Sequence, residues 1–370
     1  MNTRYRFENA GSIDSPAVIV YPELIRKNIA KAVMIAGGNH LLRPHVKTHK
    51  MVELSRMMLS AGITMFKCAT IAEAEMLAMA GAKDILLAYQ PTLVKAQRLA
   101  SLARAYPEIV FGYLIDNEYS ARQLAEVFDG EQIKVWIDVN VGMNRTGITP
   151  DGATSLYRFC KSVSGIKPAG LHAYDGHIHD TELESRFGQA SVIFDKIMEL
   201  KNQITGDEIA GNENDALQIV IGGTPCFPYY ATKNNVQTSP GTFVFWDEGY
   251  STMFPDMDFE IAALLLTRII SIVSPTIICL DLGHKSVAAE SPLPRVSFPD
   301  HPEAKVIGQS EEHLVVSVPE SSVYKPGDIW YGVPHHICPT IALYESVHII
   351  EDGQNTGIWQ VIARNRKINY

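Results

Sequence analysis

Arg43-Pro44-His45-Val46-Lys47-Thr48-His49-Lys50 closes a short apolar run, Leu41 and Leu42, and a helix-like pattern from Met51 to Ala61 follows it. A lysine placed where a strand turns into a helix stands where α/β barrels carry their chemistry. An amine made neutral and nucleophilic there can form a Schiff base with an aldehyde cofactor. Alone, the octapeptide reads more plainly as a cation-rich surface turn, and the pattern around it changes the weighting.

Working outward, short apolar runs alternate with amphipathic segments from about residue 40 to 245. The runs are Leu41–Lys47, Met65–Ala69, Ile85–Tyr89, Val110–Ile115, Lys134–Val139, Pro168–Tyr174, Gln218–Gly223 and Val236–Phe245. Between them lie helical patterns such as Ile71–Ala80, Leu93–Ala105, Ser120–Phe128 and Thr181–Ile204. Strand candidates each followed by a helix or a turn predict a (β/α)8 TIM barrel. An open doubly wound sheet is the alternative, but no GxGxxG follows an early strand.

After about Gly249 the helical period fades. β-branched and aromatic runs between Pro, Gly, Ser and Asp follow, including Ala304–Ile307, His313–Val318 and Ile358–Ala363. They predict a C-terminal antiparallel β domain. The expected division is a barrel over 17–248 and a β domain from 1–16 and 249–370, with Pro16–Tyr21 able to pair with either. Ile261–Leu280 is long and apolar enough to span a bilayer. Its Arg268, its β-branched content and the Ser274-Pro275 break favour two buried strands. A net charge of −9 without a basic run argues against a nucleic-acid partner. Met1–Pro16 lacks the apolar core of a secretory signal. Cys68, Cys160, Cys226, Cys279 and Cys338 are scattered with no CxxC pair, which predicts reduced thiols and a cytoplasmic protein.

The ends of the candidate strands gather polar groups. Asp138 opens a loop that carries Gly142-Met143-Asn144-Arg145-Thr146-Gly147, and His172 leads into Tyr174-Asp175-Gly176-His177-Ile178-His179. Gly222, Gly223 and Thr224 offer bare amides and a hydroxyl suited to a phosphate, and Gly241 and Thr242 follow in the strand-eight region, where barrels often bind one. Arg145 can donate to a cofactor oxygen, and Tyr174 can pack on or bond to a planar ring. In a strand, His336 and Cys338 share a face. Imidazole plus thiolate suits zinc with positions left open for substrate. Taken singly, these features are tight turns, a surface arginine, a core aromatic and a packed histidine beside a thiol.

Taken in order, Arg43–Lys50, Gly142–Gly147, Gly222–Pro225, Pro240–Asp247, Leu280–Lys285 and His336–Thr340 resemble the D-threonine aldolase and D-serine dehydratase group. These are fold-type III pyridoxal-phosphate enzymes with an alanine racemase-like barrel. The resemblance spans nearly the whole chain. It implies that Lys47 carries pyridoxal 5'-phosphate as an internal aldimine, that Arg145 bonds its phenolic oxygen and that Gly223 and Thr224 help hold its phosphate. It places Tyr174 beside the cofactor and a divalent metal (zinc, or else manganese or magnesium) on His336 and Cys338. It also implies a homodimer. Ser239 stands where alanine racemases carry an arginine facing the pyridine nitrogen, which speaks against racemisation.

The implied reaction is lysis of a D-amino acid with a β-hydroxyl: D-serine, D-threonine or D-threo-3-hydroxyaspartate. Cys338 in the metal pair tilts it to dehydration, giving a 2-oxo acid and ammonia, with Lys47 as the Cα base. The alternative is D-threonine aldolase chemistry, giving glycine and acetaldehyde, with His179 or else His177 as the base at the hydroxyl. Two other classes stay open on the residues: a metal-dependent barrel hydrolase using His177 and His179 with Asp138 and His172, and a non-catalytic pyridoxal-phosphate-binding protein.

Overall fold

The computed structural model describes residues 5–206 and 217–370. The chain forms two compact units: residues up to Lys31 with Thr48–Met51 and Thr242–Arg364, and Ala32–Lys47 with Val52–Gly241 and Asn365–Tyr370. The first holds β1 (Ala17–Val20) and most of α1 (Pro22–Ile35). The barrel unit continues with α2 (Val52–Ser60), β2 (Met65–Cys68), α3 (Ile71–Ala80), β3 (Asp84–Leu87), α4 (Leu93–Ala105), β4 (Val110–Ile115) and α5 (Glu118–Phe128). It is completed by β5 (Ile133–Val139), α6 (Pro150–Ser162), β6 (Ile166–Ala173), α7 (Leu183–Gly206), β7 (Gln218–Ile221), α8 (Phe227–Ala231) and β8 (Gln237–Thr238).

β2 to β8 form one parallel sheet in chain order. The expected first strand over Leu41–Lys47 is an extended segment with single bridges instead: Leu42 pairs with Thr238 and His45 with Lys67, both in parallel register. The segment thus joins the two edges of the sheet. Pro44 lacks an N–H and cannot sustain a ladder, and Val46–Thr48 already turns as a 3-10 helix. Pro240 likewise ends pairing after Thr238, so the expected strand Val236–Phe245 shrinks to Gln237–Thr238 and Thr242–Val244 is a 3-10 turn.

Inside the sheet the fully buried Arg43 reaches Asp84 Oδ1 at 2.6 Å and Gln237 Oε1 at 2.7 Å. Its guanidinium lies 5.7 Å from the Trp136 ring. Trp136 packs with Leu86, Leu114 and Val220 as a filled barrel core. Gly112 makes that possible, because a Cβ there would sit 2.3 Å from the indole. The outer helices start on side-chain caps: Thr70 accepts from Glu73 N at 3.1 Å, and Asn117 from Ser120 N at 2.8 Å.

The other unit adds α9 (Glu248–Met253), β9 (Ala263–Ser274), β10 (Ile277–Leu280), β11 (Val296–Ser297), β12 (Lys305–Gln309), β13 (Leu314–Ser317), β14 (Ile329–Pro334), α10 (Ile337–Ile341), β15 (Ser346–Glu351) and β16 (Gln354–Gln360). Its sheet runs β12-β13-β10-β9-β1-β15-β16, with β14 on β9 and β11. All pairs are antiparallel except β1 with β15. β1 is buried along its whole length and pairs on both edges. The run Pro16–Tyr21 therefore belongs with the β unit, unlike the boundary expected at residue 17. Ile261–Leu280 forms the hairpin β9–β10 around Pro275 and Thr276; Ala263–Thr267 is buried, while Ile270, Ile272 and Val273 are exposed. Among the described residues no helix is long and apolar enough to cross a membrane.

Candidate active site

Lys47 projects from the turn that follows the edge-joining segment, with its amide donating to His45 Nδ1 at 3.2 Å. Its Nζ lies 5.9 Å from the centroid of the Tyr174 ring. Tyr174 follows β6, at the C-terminal end of the sheet. Arg145 faces the same ring with its guanidinium carbon at 4.8 Å, and Lys67, from the end of β2, at 5.9 Å. Three basic side chains around one aromatic ring make a positive mouth, stabilised in part by the ring quadrupole. The loop presenting Arg145 is built on Asn140, whose Oδ1 accepts from Gly142 N and Asn144 N, each at 3.1 Å. Asn144 takes the left-handed conformation that asparagine tolerates.

Behind the ring runs a buried chain that the sequence reading did not assemble. Lys67 Nζ is 3.4 Å from His172 Nε2, and His172 Nδ1 is 2.7 Å from Asp138 Oδ1. Asp138 Oδ2 accepts from Gln90 Nε2 at 2.7 Å and Thr146 Oγ1 at 3.0 Å. Burial opposes ionisation of Asp138, but hydrogen bonds from His172, Gln90 and Thr146 hold its carboxyl below the usual range. Burial and then Lys67 lower the His172 imidazole, against the pull of Asp138. Burial and then Lys47 bring the Lys67 ammonium down to about 7. The sequence offers Asp138 and His172 as spare metal ligands; in the structure they bond each other. Lys67 was missed. Its one signal is a lysine in the otherwise apolar Met65–Ala69 run.

Gly222, Gly223 and Thr224 form the buried turn after β7, with Gly222 at φ +82°. A Cβ on Gly222 would sit 2.6 Å from the Tyr230 ring, and one on Gly223 would sit 3.1 Å from Tyr174. The glycine amides expected to face a phosphate are taken by the protein. Gly222 N donates to Ala173 O at 3.0 Å, Gly223 N to Asp175 Oδ1 at 2.9 Å and Gly241 N to Thr224 Oγ1 at 3.0 Å. Asp175 is buried, and that burial pushes its carboxyl above the usual range. Ser239 Oγ, close in sequence to Gly241, is buried without a hydrogen-bond partner among the described residues. Thr242 was expected with the phosphate group; its hydroxyl lies 3.4 Å from Cys338 Sγ.

In the β unit, the strand expected to align His336 and Cys338 ends at Pro334. His336 is instead the N-cap of α10, and Cys338 lies in its first turn. The two residues still lie together at the N-terminus of this short helix. Burial works to lower the His336 imidazole, but Cys338, Glu290 and Asp247 outweigh it and raise it to about 9. Glu290 Oε1 holds His336 Nδ1 at 2.6 Å. The hydroxyl of Thr48 is 3.1 Å from Cys338 Sγ. Asp247 accepts from Tyr250 N at 2.9 Å and Ile337 N at 3.0 Å. Among the described residues no three His, Cys, Asp or Glu side chains are grouped to hold a metal. His177 and His179 follow Tyr174 and are both exposed, His177 beside Gly142.

Residues 21–209 match the family model "Alanine racemase, N-terminal domain", and residues 262–350 match "Putative serine dehydratase domain". The chain belongs to the alanine racemase N-terminal domain family. Within it, the chain falls in the D-threonine aldolase and D-serine dehydratase group of pyridoxal-phosphate lyases. It is 28% identical to a D-threonine aldolase of an Arthrobacter species over 95% of this chain and 93% of that one. It is 24% identical to a 3-hydroxy-D-aspartate aldolase of Paracoccus denitrificans over 96% and 93%. The solved D-threonine aldolase from Filomicrobium marinum superposes with a TM-score of 0.87 at 25% identity, covering 96% of this chain and 97% of that one.

The barrel mouth fits the family's cofactor. It holds a lysine, an arginine and an aromatic ring together, and the unpartnered buried hydroxyl of Ser239 suits a phosphate oxygen. The donor set of His336 and Cys338 fits a soft divalent ion, with Glu290 orienting the imidazole as metal-bound histidines commonly require.

Proposed function

We propose that the chain is a pyridoxal-phosphate- and divalent-metal-dependent lyase of D-β-hydroxy amino acids, and that it dehydrates D-serine- or D-threonine-type substrates to a 2-oxo acid and ammonia. The observation that carries this reading is the placing of His336 as the cap of α10 and Cys338 in its first turn, with Glu290 holding the imidazole, in a chain whose barrel sets Lys47, Arg145 and Lys67 around Tyr174. Lys47 would carry the cofactor, with Arg145 at its phenolic oxygen and Thr224 and Ser239 at its phosphate. When bound, pyridoxal phosphate supplies an electron sink for charge developing at Cα. His336 and Cys338 would hold the metal, the thiolate favouring zinc over manganese or magnesium, and the ion supplies Lewis acidity at the β-hydroxyl. Once the substrate amine has released it from the cofactor, Lys47 Nζ would take the Cα proton, and Tyr174 and Arg145 would orient the bound ring.

A second reading, D-threonine aldolase activity, is favoured by the Arthrobacter relative's being one. There the exposed His179, or His177 before it, takes the proton of the β-hydroxyl as the Cα–Cβ bond breaks. In both readings the protein is a cytoplasmic homodimer. None of its five cysteines is in a disulfide, which supports a reducing compartment, and the dimer rests on the resemblance. NMR of products from D-threonine with cofactor- and zinc-loaded protein tests the choice. Formation of 2-oxobutanoate and ammonia establishes dehydration, whereas glycine and acetaldehyde overturn it in favour of the aldolase.

A further inference from the structure

Lys67 ends β2 beside the segment that leads to Lys47. Its backbone N–H donates to Pro44 O at 2.9 Å, and it bridges His45. The residue is 2% exposed. Among the described residues its side-chain polar contact is the ring nitrogen of His172, not a carboxylate. A buried ammonium without an ion-pair partner is costly, and an unbranched apolar side chain would fill the same strand position at no such cost. The His172 contact is oriented: with Nδ1–H given to Asp138, Nε2 is left as an acceptor for a Lys67 N–H. Lys67 Nζ also faces the Tyr174 ring from 5.9 Å, as Lys47 Nζ does.

We propose that Lys67 is a positioning residue of the cofactor site, a second cation held by His172 against the Tyr174 ring so that the cofactor-bound site at Lys47 gives up its proton at lower pH. This rests on the reading of Lys47 as the cofactor lysine. The charged and titratable groups facing Lys67 are Lys47, Arg43, Asp175, Asp138 and His172. Burial is the largest influence on Lys67; Lys47 and Arg43 push the same way, and Asp175 and Asp138 oppose them. The ammonium so lowered is able to hold or release a proton near neutrality. A neutral replacement removes a like charge beside the bound cofactor, which shifts its protonation upward in pH.

The test compares cofactor-loaded wild type, Lys67→Met, Lys67→Gln and Lys67→Arg. The pH midpoint of the cofactor's visible band is expected to rise by about one unit in the Met and Gln variants, a tenfold change in the proton equilibrium, and to stay near wild type in Arg. In the neutral variants kcat for D-threonine is expected to fall at neutral pH, because Lys47, as the Cα base, keeps its proton to higher pH without the like charge beside it, with KM little changed. Their melting temperature is expected to match or exceed wild type, because an uncompensated buried charge is gone. An unmoved midpoint overturns the proposal. So does a melting temperature several degrees lower in both neutral variants, which would make Lys67 structural. Borohydride reduction and peptide mapping are expected to mark Lys47. A mark on Lys67 overturns the proposal by making it the cofactor lysine, and a protein that takes up no coloured cofactor overturns the reading of Lys47 as well.

Discussion

His172 Nδ1 lies 2.7 Å from Asp138 Oδ1, with both residues buried. The carboxylate also accepts from Gln90 and Thr146, so Asp138→Asn turns one acceptor oxygen into a donor among donors. A loss of about 2 kcal/mol at pH 7 is expected. The folded pKa of Asp138 is depressed. Its contribution is therefore present above the unfolded value of 3.8 and is lost as pH falls through the folded one. Urea unfolding at pH 7 and at pH 3 should show the gap between wild type and variant shrinking in acid; a gap that is constant or widens would refute this.

His49 follows from the opposite case, a buried base. Burial, and then Lys50, lower its imidazole from 6.5 to about 3, while Met51 N donates to Nδ1 at 3.1 Å. Between those values the unfolded chain binds the proton and the folded chain does not. Stability is thus full above about 6.5 and falls as pH drops toward about 3. His49→Asn keeps an acceptor for Met51 and removes the titration. The slope of stability against pH in that window should drop by as much as about 1.4 kcal/mol per unit. Identical slopes in denaturant titrations of the two proteins would rule out His49 as the source.

Gly112→Ala probes the barrel core directly. The new methyl would lie 2.3 Å from Trp136, and that indole is closed in by Leu86, Leu114 and Val220. Overpacking of this kind costs about 1–3 kcal/mol. A thermal unfolding midpoint equal to wild type would mean that the indole has room to move.

Much of the barrel was legible because its strands are short apolar runs with helical stretches between them: Ile71–Ala80 and Leu93–Ala105 fall on the expected residues, although Ile71–Ala78 is buried on every side rather than amphipathic. The misses share one physical cause. Local pattern does not say where hydrogen bonds go. Pro44 and Pro240 cut ladders at the seam of the sheet, the amides of Gly222 and Gly223 are committed to Ala173 and Asp175, and β1 pairs with strands far along the chain. His336 and Cys338 were found as a pair for the wrong reason, since a helix cap brings them together where a strand was expected. Lys67 was invisible as a functional residue because its significance lies in His172, a residue of another strand.

Lys47 and Cys338 lie in different compact units, so their losses should be separable. Lys47→Ala is expected to abolish the visible cofactor band and the activity while leaving zinc content intact. Cys338→Ala is expected to keep the band, because the barrel mouth of Lys47, Arg145 and Tyr174 is unchanged, and to bind zinc at least about 100-fold more weakly, since a lost ligand should cost no less than a lost outer partner. Chelation of wild type should reproduce the Cys338→Ala activity, and added zinc should restore wild type only. The paired readouts are absorbance and bound zinc measured on the same sample. A Cys338→Ala protein that loses zinc yet retains turnover would remove the metal from the proposed reaction, leaving Lys47 chemistry alone to explain it, and one that retains both would remove Cys338 as the ligand.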